Sequence, residues 1–147
     1  MTGPFTISTD WNLEVLMAGR ALFAALLGGL VGIERQYHHH SAGVRTYAAV
    51  CLGACLFALV STHIPGADPS RMAANIVVGI GFIGGGVILH HGEKTFGLTT
   101  AATLWVIAGI GTGVGFGMYI LPTLSALITL GLLAAYRFLP GEESRKK

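Results

Sequence analysis

The stretch 95-TFGLTTAATLWVIAGIGTGVGFGMYILPTLSALITLGLLAAY-136 contains no Asp, Glu, Lys, Arg or His, and it fills all 42 positions between Lys94 and Arg137. As one helix it would measure roughly 60 Å at about 1.5 Å per residue. The hydrocarbon core of a bilayer is only about 30 Å thick. The stretch is too long to cross once and suited to crossing twice, with a turn near Gly113-Val-Gly-Phe-Gly117 and Pro122 just beyond. The reading is an integral membrane protein containing a tight helical hairpin.

Working outward, four further features agree. Charged residues make up 11% of 147 and hydrophobic residues 52%, too few charges to cover a soluble domain, where about 25% is usual. Apolar runs recur at about 13–33, 47–64, 72–89, 98–114 and 119–139, each near the ~17–25 residues of a membrane-spanning helix. Backbone groups in lipid must be satisfied within the segment, so helix is the default, and the ~10-residue alternation of barrel strands is missing. The expectation is an all-α, polytopic bundle of about five helices forming a single domain over 1–147. Polar connections are expected at Glu34–Arg45, at Pro65–Pro69 and as a short loop at His90–Lys94.

With the N-terminus outside, the inner segments hold Arg35, Arg45, Lys94, Arg137, Arg145, Lys146 and Lys147, and the outer ones only Arg71. By the positive-inside rule the chain reads as an inner-membrane protein with its N-terminus periplasmic and its C-terminus cytoplasmic. Trp11, Tyr37, Tyr47 and Tyr119 fall near helix ends and read as interfacial anchors.

Glycine is dense, with pairs four apart at Gly28/Gly32, Gly81/Gly85, Gly109/Gly113 and Gly113/Gly117. Small residues at that spacing let helices approach closely, through packing within the bundle or contacts in a homodimer or other homo-oligomer. Gly79-Ile-Gly81-Phe-Ile-Gly84 fits the dinucleotide-binding pattern but lies inside an apolar run, without the strand that the motif requires. No hydrolase or metalloprotease motif occurs, so enzyme activity, a cofactor and nucleic-acid binding are not expected. Cys51 and Cys55, one helical turn apart, read as small packing residues rather than a disulfide.

Ionisable groups inside a membrane segment are functional candidates. Arg20 lies in the first run, and Glu14 and Asn75 enter from the same side as its possible partners. At the inner end Glu34, Arg35, Arg45, Thr46, Thr99, Thr100 and Thr103 are expected to converge, with a Glu34–Arg45 pair. His38, His39, His40, His90 and His91, with Glu34, are the weak metal-ligand candidates, imidazole favouring transition metals over magnesium.

Four blocks then stand out together: Gly29-Leu-Val-Gly-Ile-Glu-Arg35, Ala42-Gly-Val-Arg-Thr46, Gly79-Ile-Gly-Phe-Ile-Gly-Gly-Gly-Val-Ile88 and Gly97-Leu-Thr-Thr-Ala-Ala-Thr-Leu-Trp105. In this order and spacing they resemble the MgtC/SapB membrane family over roughly residues 20–139. The resemblance implies a bacterial inner-membrane protein of about five helices linked to magnesium limitation, acid tolerance and survival in host cells. Some members are thought to restrain the F-type ATP synthase, which makes that enzyme or another membrane transport protein a partner to expect. The motif residues carried over are Arg20, Glu34, Arg35, Gly43, Arg45, Thr46, Gly79, Gly81, Phe82, Gly84, Gly86, Gly97, Thr99, Thr100 and Trp105. Three departures are visible: the sequence reads as a short form without the soluble C-terminal domain of many members, Thr99 stands where virulence-associated members have Asn, and Gly-Phe-Ile-Gly-Gly-Gly replaces Gly-Phe-Leu-Gly-Ala-Gly. Two functions compete, a non-enzymatic regulator working through helix contacts and a small oligomeric carrier of magnesium or an anion. The first is preferred, because no acidic residue lies near the bilayer midplane and arginine-lined paths suit anions.

Overall fold

A computed structural model describes residues 10–91 and 94–135, the side chains of 89–91 and 94 excepted. Five helices follow one another: α1 (Trp11–Tyr37), α2 (Val44–His63), α3 (Pro69–Val87), α4 (Leu98–Gly115) and α5 (Ile120–Ala135). The first four are long and apolar enough to cross a membrane. The last part of the fifth expected run, 136–139, lies outside the described residues. The bundle is all-helical except at one point: the expected loop near 90–94 is a short antiparallel hairpin, β1 (Leu89–His91) with β2 (Lys94–Phe96), His90 opposite Thr95.

Local chemistry starts and stops these helices. Asp10 and Asp68 are N-caps, each accepting from a backbone N–H two residues on, which satisfies a donor that has no partner within the helix. Pro69 occupies the first turn of α3, where its missing N–H costs nothing. Two Ser70 hydrogen bonds hold the Asp68 carboxyl below its usual range. Gly97 precedes α4 at φ +82°, and a Cβ there would stand 2.2 Å from the Val87 carbonyl oxygen. Only glycine combines that left-handed backbone with so close an approach.

The core is α1, α2 and α4, and glycine sets their distances. A Cβ on Gly28 would meet the Tyr47 carbonyl oxygen and Cys51 Cβ at 2.6 Å, and one on Gly32 would meet Val44 Cα at 2.7 Å. This glycine pair is the α1–α2 crossing the spacing suggested. At the α2–α4 crossing the glycines are Gly111, 2.1 Å from the Cys51 carbonyl oxygen, and Gly115, 2.6 Å from Ala58 Cβ and the Cys55 carbonyl oxygen. They replace the expected pairs: a Cβ on Gly109 would meet nothing, and Gly113 faces Pro122 of α5 at 3.0 Å. Of the other candidate packing glycines, Gly84 makes ordinary contact with Ala101 at 3.7 Å, while Gly79, Gly81, Gly85 and Gly86 face open space. In place of a glycine-packed helix, α3 is the outlying one, resting on α4 through Ile80 and Gly84.

Candidate functional site

Three polar groupings are built into this frame. The first sits at the end of α1. The Arg35 side chain is almost wholly buried, and its guanidinium grips the neighbouring Glu34 carboxylate two-handed, Nε to Oε2 and Nη2 to Oε1, the latter at 2.7 Å. His38 Nδ1 lies 3.3 Å from Glu34 Oε1 and 2.9 Å from the Glu34 carbonyl oxygen, so the ring caps the last turn of α1. The expected partner of Glu34 was Arg45. Among the described residues Arg45 is exposed and makes no ion pair, because it starts α2 on the helix face turned away from α1. Burial, and after it Arg35, pushes the His40 imidazole below its ordinary value. Gln36 Oε1 accepts from the Val44 N–H at 3.3 Å and closes the connection into α2.

The second grouping ties α2 to α4. The Tyr47 hydroxyl meets Thr103 Oγ1, whose own hydrogen is directed at the carbonyl oxygens of Thr99 (2.9 Å) and Thr100 (3.0 Å). Thr103 has one hydrogen to give, so Tyr47 is the donor. Tyr47 is fully buried, not the interfacial anchor its place near a helix start suggested. The signal was present in its spacing, for Tyr47, Cys51, Ala54, Cys55 and Ala58 follow the i, i+4, i+7, i+8, i+11 pattern of one helix face and all are buried. Cys51 and Cys55 are buried and unpaired with each other, filling that stripe. Thr100 is buried, but Thr46 and Thr99 are exposed and Trp105 is half exposed. Of the expected convergence of Glu34, Arg35, Arg45, Thr46, Thr99, Thr100 and Thr103, the bonded links are Glu34–Arg35–His38 and Tyr47–Thr103, near enough that Arg35 and Glu34 act electrostatically on Tyr47, while Arg45, Thr46 and Thr99 are exposed.

The third grouping surrounds Arg20. Its Nε donates to the Tyr119 hydroxyl at 3.1 Å, and Nη1 reaches the Gly115 carbonyl oxygen at 3.4 Å. Asn75 and Glu14, the expected partners, make no such bond. Asn75 belongs to α3, on the far side of α2 and α4, and Glu14 lies nearly two turns before Arg20 on α1. Arg20 is nine residues along α1 from Trp11, roughly 13 Å. Gly115 likewise meets α2 at Cys55 and Ala58, five to eight residues before its end at His63. The turn joining α4 to α5 is thus recessed by roughly 10 Å below the ends of α1 and α2. A helix terminus so placed must find donors for its last carbonyls within the protein. Phe116, Gly117 and Met118 N–H groups serve Thr112, Val114 and Gly113, and Arg20 serves Gly115. Gly117 has φ +85°, and a Cβ there would lie 3.1 Å from Arg20 Nη2.

The metal candidates do not assemble. Glu34 and His38 meet, but among the described residues no three His, Cys, Asp or Glu side chains gather as a metal site. The side chains of His90 and His91 lie outside the described residues.

A bundle of apolar helices closed by buried glycine crossings, with its charges other than Arg20 near the helix ends, defines a polytopic α-helical membrane protein. The comparisons narrow this further. The profile described as the MgtC family matches residues 22–141, and the chain belongs to that family. It is 42% identical over 127 residues to the protein named "Putative magnesium transporter YhiD" of Escherichia coli K12, covering 80% of this chain and 59% of that one. It is 51% identical over 98 residues to the protein MgtC of Salmonella typhimurium, covering 67% and 42%. A Synechocystis protein, slr0014, is 43% identical over 122 residues, covering 82% and 51%. The chain spans about half the length of these curated relatives. No solved structure matches it.

Proposed function

We propose that this chain is a non-enzymatic regulator in magnesium homeostasis and stress adaptation. It lies in the bacterial inner membrane, N-terminus periplasmic and C-terminus cytoplasmic, and acts by contact with other membrane proteins, the F-type ATP synthase or a transport protein among them. The observation that carries the reading is the way the polar groups are spent. Arg20 serves a helix end, Arg35 holds Glu34, Tyr47 and Thr103 join two helices, and the buried Ser61 and Thr129 hydroxyls bond carbonyls of their own helices. Arg20, Asn75 and the Glu34 cluster, the candidate polar groups, stand apart on different sides of the bundle. Magnesium favours several hard oxygen ligands and keeps its waters, and Glu34, already doubly held by Arg35, is a poor start for such a site.

The competing reading, a small carrier, draws on the name of the Escherichia coli relative. One experiment separates the two. Protein reconstituted in liposomes is tested for magnesium flux, and the same protein is crosslinked in native membranes and its captured partners are identified. Regulation predicts no saturable flux and a defined membrane-protein partner. A saturable magnesium flux that disappears in Glu34→Gln would establish the carrier instead.

A further inference from the structure

Helix α3 is far less covered than its neighbours: 11% of its apolar stretch is buried, against 50% for α4. On its free side stand Asn75, Val78, Gly79, Phe82, Gly85 and Gly86, with Val78 75% and Phe82 87% exposed. A Cβ on any of those three glycines would meet nothing within 4 Å. Positions 75, 78, 82 and 85 advance by three and four and so share one face of α3, with Gly79 and Gly86 beside them. One group distinguishes this face from an ordinary lipid-facing surface.

That group is Asn75. It lies six residues into the helix from Pro69, roughly 9 Å along, and its amide has no hydrogen-bond partner among the described residues. A polar side chain at membrane depth is costly unless something meets it. Beside it runs an apolar groove of about 580 Å³ between α2 and α3, lined by Gly53, Phe57, Met72, Asn75, Gly79 and Ile83 among others.

We propose that α3 is the face through which two copies of this chain pair, parallel and in register. Asn75 of each copy bonds Asn75 of the other, the glycines admit close approach, and each Phe82 lies over the groove of the second copy. The amide favours this occupant over an acyl chain or an unrelated helix. It carries both a donor and an acceptor, so two identical amides facing each other across a two-fold axis satisfy one another. A single Asn at the seam of a helix pair is also the feature that specifies register and a two-stranded pairing. Copies inserted in one orientation bring their α3 helices together parallel. The surface serves a regulator or a carrier equally, so the inference is independent of the function proposed above.

The test uses the full chain in bacterial membranes. Single cysteines are introduced by Val78→Cys, Phe82→Cys, Val77→Cys and, on α5, Leu127→Cys, and the membranes are oxidised. The parent, whose Cys51 and Cys55 are buried, is the blank. Disulfide-linked dimers are expected at 78 and 82 and not at 77 or 127. Asn75→Val should raise the dimer dissociation constant in bilayers roughly three- to twentyfold, the span of membrane hydrogen-bond strengths, whereas Asn75→Gln should keep most of the affinity. Asn75 is exposed in the single chain, so neither change disturbs its fold. Crosslinks without this periodicity, an Asn75→Val variant that dimerises undiminished, or a monomer that retains phospholipid in the groove would each overturn the proposal.

Discussion

Helices α2 and α3 both carry small residues in an apolar sequence, yet one is the centre of the bundle and the other lies at its edge. Against α2, glycines of α1 and α4 approach so closely that backbone touches backbone, with Gly111 and Gly28 leaving no room for a methyl group. Along α3, four glycines meet nothing. Glycine density therefore does not locate an interface. What matters is whether the partner helix offers backbone at the same height and on the same side.

The sharpest way to break this comparison is Gly111→Ala set beside Gly81→Ala. The first forces a methyl group onto the Cys51 carbonyl oxygen and should cost about 1–3 kcal/mol. The second should be neutral or stabilising by up to about 1 kcal/mol, since Ala favours helix. Unfolding of the purified protein by a denaturing detergent measures both, and equal losses would remove the distinction between core and edge. Tyr47→Phe should cost about 1 kcal/mol in the same assay, because Thr103 keeps its own carbonyl acceptors. A loss as large as that of Gly111→Ala would mean that the hydroxyl pair, not the glycine crossing, holds α2 to α4.

Arg20→Ala should leave the core standing and loosen the recessed α4–α5 turn. Faster hydrogen exchange at the Gly117 and Met118 amides is the expected sign, and Arg20→Lys should not restore protection, since an ammonium lacks the planar fork that spans Tyr119 and Gly115. The smallest effect concerns Glu34. A double-mutant cycle should find coupling of about 0.5 kcal/mol with Arg35 and almost none with Arg45. Appreciable coupling to Arg45 would restore the pairing that opposite charges at the two helix ends suggested.

Much of the architecture was legible because the bilayer imposes a length and a polarity on each segment. Apolar runs gave the helices, Pro65–Pro69 the turn between α2 and α3, and the four glycine-rich blocks the family. The Gly28/Gly32 crossing was legible too, since the surrounding sequence offers few alternatives. Gly111/Gly115 was not, because glycine stands at every second position from 109 to 117 and several pairs four apart compete. The helix face chosen by contact with Cys51 and Cys55 decided among them. The site was read less well for the same reason. Arg20, Asn75, Glu34 and Arg45 were grouped by depth, and depth says nothing of azimuth.

The sequence by itself determined that this chain is a helical membrane protein of the MgtC family, because hydrophobic length and motif order are one-dimensional properties. Only the tertiary structure decided that Glu34 belongs to Arg35, that Tyr47 is buried against Thr103, that Arg20 closes a recessed helix end, and that α3 is left uncovered. Those depend on how each helix is rotated about its axis, and in an almost uniformly apolar chain rotation is set by the fit of neighbouring backbones rather than by any pattern of polarity along the sequence.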